Sequence, residues 1–90
     1  VHTANRYHFA YMSTANELLK QLMTIHAYDL IHQYAALALT IAPENTKAYY
    51  WLIQSYLKQN MEEMAIGELV AARQKLPDEE YQKLLQELKK

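Results

Sequence analysis

Residues 43–77 decide the fold of this chain: PENTKAYYWLIQSYLKQNMEEMAIGELVAARQKLP. The two prolines of the sequence, Pro43 and Pro77, bound one copy of a repeat, and a fainter copy precedes it. Ala38 precedes Ala72 by 34 residues, and Pro43 precedes Pro77 by the same distance. A fixed period of this size is typical of a stacked array of helical hairpins.

The composition favours a single all-α domain over residues 1–90. Ninety residues correspond to one domain on length alone. One glycine and two prolines leave few turn residues, which argues against an all-β fold. Ala, Leu, Lys, Glu, Gln and Met dominate, and these are strong helix formers.

The charge pattern points to no particular polyanion or membrane surface. Nine basic and ten acidic residues give a net charge of −1, so we expect no nucleic-acid or membrane contact. The absence of cysteine excludes disulfides and fits a cytoplasmic location. Since the first five residues contain neither a methionine nor a signal-peptide pattern, we expect a fragment of a longer protein.

Helix-breaking residues and the spacing of apolar residues together predict five helices. Pro43 cannot continue a helix, and Asn45 or Thr46 can cap the next one. Asn60 tolerates the left-handed conformation that ends helices, whereas a turn near His26 is placed by the repeat pattern alone. We predict a lead-in over residues 1–5, helices over about 6–25, 28–42, 46–59 and 62–75, and a capping helix over 77–90. The first two helices form a degenerate first repeat (6–42), and the next two form the second repeat (44–76).

Each predicted helix has an apolar side that we expect to be buried. The second helix is apolar over most of its circumference, which indicates that it lies between two others. Gly67 costs about 1 kcal/mol against alanine, and we expect it to make room for a neighbouring side chain. The residues expected in the core are Phe9, Tyr11, Met12, Ala15, Leu18, Leu19, Leu22, Met23, Ile25, Leu30, Ile31, Tyr34, Ala35, Leu37, Ala38, Ile41, Tyr49, Leu52, Ile53, Tyr56, Ala65, Ile66, Leu69, Val70, Ala72, Tyr81, Leu84, Leu85 and Leu88.

The second repeat resembles the tetratricopeptide repeat. The residues that match its pattern are Tyr49, Leu52, Tyr56, Ala65, Ala72 and Pro77. Ile53 stands where the family prefers glycine, and Leu69 stands where it prefers a large aromatic. The resemblance implies antiparallel helical hairpins in a right-handed stack and a non-catalytic role in protein–protein interaction, without a cofactor.

A narrower resemblance is to the bacterial transcriptional activator domain. It is carried by residues 38–45, ALTIAPEN, and by residues 48–52, AYYWL. This resemblance implies a regulatory module that mediates oligomerisation or contacts between domains in a bacterial transcriptional regulator. In that family a separate winged helix reads DNA, and this chain contains no such element.

The tetratricopeptide resemblance also implies a partner-binding groove on the inner face of each first helix. The residues that it assigns to this groove are Lys47, Tyr50, Trp51, Gln54, Leu57 and Lys58 from the second repeat and Ser13, Asn16, Lys20 and Met23 from the first. Helical spacing independently places Tyr50, Gln54 and Leu57 on a stripe away from the core side. The alternative is that another helix or a further domain covers these rings. Tyr50 stands where a lysine would be needed to clamp a peptide's terminal carboxylate.

The front of the first helix is a candidate oligomer face. Tyr7, Phe9 and Tyr11 are three rings within five residues, more than one core stripe can bury. Stacked arrays generally need three or more units, and this chain has about two and a half, so a second copy or another domain is expected to close one end. The alternatives are a small helical ligand-binding domain and a structural spacer.

The histidines do not form a catalytic or metal-binding pattern. His2 and His8 are six residues apart, as are His26 and His32, whereas ligands on one helical face need spacings of three or four. Asp29 lies three residues before His32, a pair that is more often a surface hydrogen bond than half of a triad. We therefore expect no enzymatic activity, no metal site and no cofactor.

Overall fold

A computed structural model of the chain describes the backbone of residues 2–89 and the side chains of residues 12–89. Within that part the chain forms five helices and no strand, which confirms the all-α prediction. The helices are α1 (His2–Thr24), α2 (Tyr28–Ile41), α3 (Thr46–Lys58), α4 (Glu62–Lys75) and α5 (Asp78–Lys89).

The helix bounds follow the local signals in the sequence. Asn45 caps α3, because its side-chain Oδ1 accepts a hydrogen bond from the backbone N–H of Ala48 at 3.2 Å. Three acidic residues occupy the first turn of α5, where they complement the positive end of the helix. The structure differs from the predicted lead-in over residues 1–5: α1 begins at His2, and residues 2–5 contain no proline or glycine that would prevent helix formation.

The two hairpins turn in the same way, 34 residues apart. His26 and Asn60 both adopt a left-handed backbone, with φ angles of 59° and 61°. Behind His26, the N–H of Ala27 donates to the carbonyl of Leu22 at 2.9 Å. Behind Asn60, the N–H of Met61 donates to the carbonyl of Tyr56 at 2.8 Å. Both are Schellman caps, so the period read from the sequence is present in the backbone.

Helix α3 is the centre of the arrangement, since it packs against each of the other four helices. Helix α1 also packs closely against α2, and α5 against α4, whereas the backbones of α2 and α4 do not approach each other as closely within the described residues. This order of contacts is compatible with stacked hairpins in which α1, α3 and α5 are neighbours.

The core lies around α3 and confirms its predicted stripe. Tyr49, Leu52, Ile53 and Tyr56 are each at most 4% exposed. The buried hydrophobic residues that surround this stripe are Leu19, Leu22, Ile31, Ala35, Ala38, Ala48, Ala65, Ala72, Leu76 and Leu84.

The prediction is wrong for several apolar residues on α1, α2 and α4. Helix α2 buries Ile31, Ala35 and Ala38 but exposes the large side chains on its other side, because among the described helices only α1 and α3 pack closely against its backbone. Helix α4 likewise packs closely against α3 and α5. The residues expected in the core but found exposed are Leu18, Ile25, Leu30, Tyr34, Leu37, Ile41, Ile66 and Val70.

Gly67 does not make room for a neighbour. A Cβ atom built at this position meets nothing within 4 Å, so the space beside the glycine is open. Its backbone is helical and inside α4, where glycine carries an entropic cost without a packing benefit.

The same truncation at a buried and an exposed isoleucine tests the core assignment. Ile53→Ala is expected to lower the free energy of unfolding by about 2–5 kcal/mol, because Ile53 is 1% exposed and its loss leaves a cavity. Ile66→Ala is expected to change it by less than about 0.5 kcal/mol, because Ile66 is 60% exposed. Urea unfolding followed by circular dichroism measures both, and equal losses would contradict the packing described here.

Gly67→Ala is expected to stabilise the protein by about 0.5–1 kcal/mol. The added methyl group meets open space and the substitution removes backbone freedom from the unfolded chain. A higher urea midpoint at unchanged slope is the expected readout. A loss of stability would show that the position is crowded after all.

Candidate interaction surfaces

The predicted groove residues of α3 lie opposite its core stripe. An α-helix advances about 100° per residue, which places Lys47, Tyr50, Trp51 and Gln54 on the side away from Tyr49 and its buried neighbours. Tyr50, Trp51 and Gln54 are half-buried, whereas Lys47 is exposed. The Tyr50 and Trp51 rings meet edge to face, with their centroids 4.8 Å apart and their planes at 73°. This contact holds two aromatic rings at the partly open side of α3.

The first cavity beside these rings lies between α1 and α3 and measures about 440 Å³. It brings together five of the predicted groove residues, three from α1 and two from α3. The residues that line it are Met12, Ser13, Asn16, Glu17, Lys20, Glu44, Asn45, Thr46, Lys47 and Trp51. We call it the α1–α3 cavity.

A second cavity, of about 170 Å³, lies between α3 and α5 and shares Thr46 and Lys47 with the first. Tyr50 lines it, opposite α5 residues that the sequence did not indicate, among them Lys83. The Thr46 hydroxyl donates to Oε2 of Glu80 at 3.1 Å, and Lys83 pairs with Oε1 of the same carboxylate at 3.3 Å. The Thr46–Glu80 bond ties the start of α3 to α5, and the Lys83–Glu80 pair lies within α5.

Not every predicted groove residue belongs to these cavities. Gln54, Leu57 and Lys58 line neither of the two, since they lie further along α3. Met23 packs against the core. The structure therefore gathers the predicted groove at the N-terminal half of α3 and leaves its C-terminal half as an open helix surface.

Two residues that line the α1–α3 cavity each have one side-chain atom that makes no hydrogen bond within the protein. These atoms are Oδ1 of Asn16 and Nδ2 of Asn45, and both atoms are buried. Asn45 is 3% exposed and uses its Oδ1 to cap α3, which leaves its amide N–H groups directed elsewhere. Since buried polar groups are nearly always paired, these two atoms are exceptions to the usual pairing.

The side chains of Tyr7, Phe9 and Tyr11, the predicted oligomer face, lie outside the described residues. A different apolar surface is exposed on the same hairpin, and we call it the outer face. Its members are Leu18 on α1 and Leu30, Tyr34, Leu37 and Ile41 on α2, each between 41% and 51% exposed. A cavity of about 230 Å³ lies on it, lined by Thr14, Ala15, Leu18, Tyr34 and Leu37.

Histidine and carboxylate groups do converge at one place, between α2, α3 and α4. His32 and Glu68 line a cavity of about 290 Å³, and the imidazole of His32 is hydrogen-bonded to the Tyr56 hydroxyl. His32 is exposed, so this cavity is open to solvent. Among the side chains that are described, no group of three or more His, Cys, Asp or Glu is arranged to hold a metal ion.

The buried tyrosines near Glu68 have perturbed acidity. Burial raises the pKa of Tyr49 above its ordinary value of 10.0, and the charge of Glu68 raises it further. The pKa of Tyr56 is raised by the same two causes in the same order. Both phenols therefore stay protonated beyond the pH at which an exposed tyrosine ionises.

The sequence predicted Asn45 or Thr46 as the cap of α3 but did not predict that both residues line a cavity. Glu80, Lys83 and Glu87 of α5 carried no such signal, because only the packing of α5 on α3 brings them to the second cavity.

No protein-family model, no curated protein and no solved structure matches this chain significantly. In the part of the chain that is described, none of the helices combines the length and the apolar character that a membrane span requires.

Alkaline pH is expected to destabilise the protein through Tyr49 and Tyr56. Because the pKa values of both tyrosines are raised in the folded state, their contribution to the free energy of unfolding is complete below pH 10. This contribution is lost as the pH rises above 10, because the tyrosines ionise first in the unfolded chain. The loss is at most about 1.4 kcal/mol per pH unit for each tyrosine. Between pH 8 and pH 11, the free energy of unfolding measured with urea should decrease less for Tyr49→Phe than for wild type.

Tyr34, which is 42% exposed in the single chain, provides the control at protein concentrations at which the protein is monomeric. Tyr34→Phe removes an ionisable phenol from the surface and should leave the wild-type decrease unchanged. If Tyr34→Phe protected the protein as well as Tyr49→Phe did, burial would not be the cause of the alkaline loss.

Proposed function

We propose that this chain is a non-catalytic protein-interaction module that associates with a second copy of itself through the outer face. The observation that supports the proposal is the size and composition of that face. Five large apolar side chains lie exposed on one hairpin, all of them at least 41% exposed. Clusters of this kind on a small domain are typical of interaction surfaces.

The spacing on α2 favours a helix as the occupant. Leu30, Tyr34, Leu37 and Ile41 follow one another at intervals of four, three and four residues. This is the interval at which apolar side chains of one helix pack against a parallel or antiparallel neighbour. The groove beside Leu18 and Tyr34 supplies a hole for a side chain of the partner.

The charge of the outer face favours an identical partner. Among Asp, Glu, Lys and Arg, α2 contains only Asp29, which lies in its first turn. A partner with charged groups at the contact would bury them without compensation, at a cost in free energy. A second copy brings the same uncharged stripe, so a symmetric contact repeats the face on itself without like-charge repulsion.

The position of the outer face in the fold supports the same partner. Helix α3 packs on one side of the α1–α2 hairpin, and the outer face is left at the end of the array. A small array has little core of its own and gains stability when a terminal face is covered. The resemblance to the tetratricopeptide repeat and the activator domain extends the proposal to a regulatory domain of a cytoplasmic bacterial transcriptional regulator.

Light scattering over a concentration series tests this proposal with a matched pair of variants. Wild type is expected to be a dimer at high concentration and to dissociate on dilution. Leu37→Glu is expected to raise the dimer dissociation constant at least tenfold and to stay folded, because the residue is 51% exposed. Ile66→Glu introduces the same charge at an exposed isoleucine of α4 and should leave the dimer intact.

Three outcomes would overturn the proposal in different ways. A wild-type monomer at every concentration would exclude the second copy and assign the outer face to a neighbouring domain. A dimer that is insensitive to Leu37→Glu would place the interface elsewhere, for example at Tyr7, Phe9 and Tyr11. Loss of the dimer in Ile66→Glu but not in Leu37→Glu would place the interface on α4.

A further inference from the structure

We infer that the cavity between α2, α3 and α4, which we call the α2–α4 cleft, binds a small zwitterion: an ω-amino carboxylate with a linear aliphatic chain. The ammonium group of the ligand would pair with the carboxylate of Glu68, and its carboxylate with the ammonium group of Lys75. This inference goes beyond the proposed interaction module, because the α2–α4 cleft shares no residue with the outer face.

The α2–α4 cleft exists because α2 and α4 both pack closely on α3 but keep their backbones further from each other. Its volume is about 290 Å³, and Tyr49 and Leu52 of α3 contribute an apolar floor. Ala36 of α2 and Ala71 of α4 line its walls, and these small side chains leave the space between the two helices open. An apolar floor with a few polar groups beside it is typical of sites for small ligands.

The polar groups of the α2–α4 cleft lie at its two ends. The imidazole of His32 is hydrogen-bonded to the Tyr56 hydroxyl, and the charge of Glu68 acts on the same phenol, so one end holds both groups. A tight turn joins α3 to each of its two chain neighbours and reverses the chain, so α2 and α4 run in the same direction. Thr40 and Lys75 follow about two turns further along α2 and α4 and therefore lie at the other end.

The two charged groups of the α2–α4 cleft lack partners. Among Asp, Glu, Lys and Arg, only Glu68 and Lys75 line it, and neither forms an ion pair with another side chain in the described part of the chain. Glu68 is half-buried, and after burial itself its charge is the second cause that raises the pKa of Tyr49 and of Tyr56. Its carboxylate therefore lies near the floor, where water screens it less than it screens an exposed charge.

The spacing of the two charges selects a linear zwitterion. Glu68 and Lys75 are seven residues apart on one side of α4, which separates their backbone positions by about 10 Å. A ligand with a single charge would leave one of them unpaired, whereas an ω-amino carboxylate carries both charges and places its methylene groups on the apolar floor. The Thr40 hydroxyl already donates to the carbonyl of Ala36, so the donor for the ligand's carboxylate is Lys75.

An NMR titration of the ¹⁵N-labelled full chain with 6-aminohexanoate tests the inference. The backbone amide signals of Ala36, Glu68 and Ala71 report on the two walls of the cleft. Hexanoate and hexylamine are controls that keep a six-carbon chain but carry one charge each. Glycine is the control that carries both charges without the chain.

The signals of the cleft are expected to shift in a saturable way with 6-aminohexanoate. Since a partly exposed ion pair contributes up to about a factor of five to affinity, hexanoate and hexylamine should each bind about fivefold more weakly. Glycine should leave the signals in place. The inference is overturned if 6-aminohexanoate shifts none of these signals, or if either singly charged compound binds as tightly as it does.

Four variants of α4 assign the binding to the two charges. Glu68→Gln and Lys75→Met remove one charge each at nearly constant side-chain size, and each should bind 6-aminohexanoate about fivefold more weakly than wild type. Glu63→Gln and Arg73→Met remove exposed charges that do not line the cleft and should bind as wild type does. Thermal unfolding followed by circular dichroism establishes that each variant is folded. Wild-type affinity in Glu68→Gln or Lys75→Met would contradict the inference.

The α2–α4 cleft and the outer face are tested separately. Leu37→Glu should bind 6-aminohexanoate as wild type does, because Leu37 does not line the cleft. A chain that dimerises without binding 6-aminohexanoate overturns only the ligand site, whereas a monomer that binds it overturns only the outer-face contact.

Discussion

The structure depends on one helix that is buried on one side against four neighbours. The stripe of Tyr49, Leu52, Ile53 and Tyr56 on α3 is nearly inaccessible to solvent, and every other helix packs on α3. A chain of 90 residues has little apolar surface to bury, so it concentrates its core around a single element. The opposite side of the same helix carries Tyr50 and Trp51, which are only half-buried. Core and groove are two sides of one helix.

Much of this architecture could be predicted from the sequence. The bounds of α2, α3 and α4 follow from Pro43, from the cap at Asn45 and from the turn at Asn60, where local chemistry determines the backbone. The burial of individual residues on α2 and α4 could not be predicted in the same way. Apolar spacing shows that Leu37 and Ile66 belong to helices, but only the number of neighbouring helices decides whether they are covered.

For the candidate groove, too, the sequence predicts some of the residues, whereas other features depend on tertiary packing. Lys47 and Trp51 follow from the repeat pattern, and the structure brings them beside Asn16 and Lys20 of α1. Whether these residues bind a partner stays a prediction. The pairing state of Asn16 and Asn45 was beyond sequence reasoning, because an unpaired atom is defined by what surrounds it in three dimensions. For the same reason, only the packing of α5 revealed the second cavity.

The matching turns at His26 and Asn60 have a consequence for how such a chain can grow. Both residues have the same left-handed backbone and the same pair of closing hydrogen bonds, 34 residues apart. A segment that starts and ends at equivalent backbone geometry can be copied in tandem without disturbing the joints on either side. Lengthening the protein by one unit requires no new type of turn, only a new face to cover the old end.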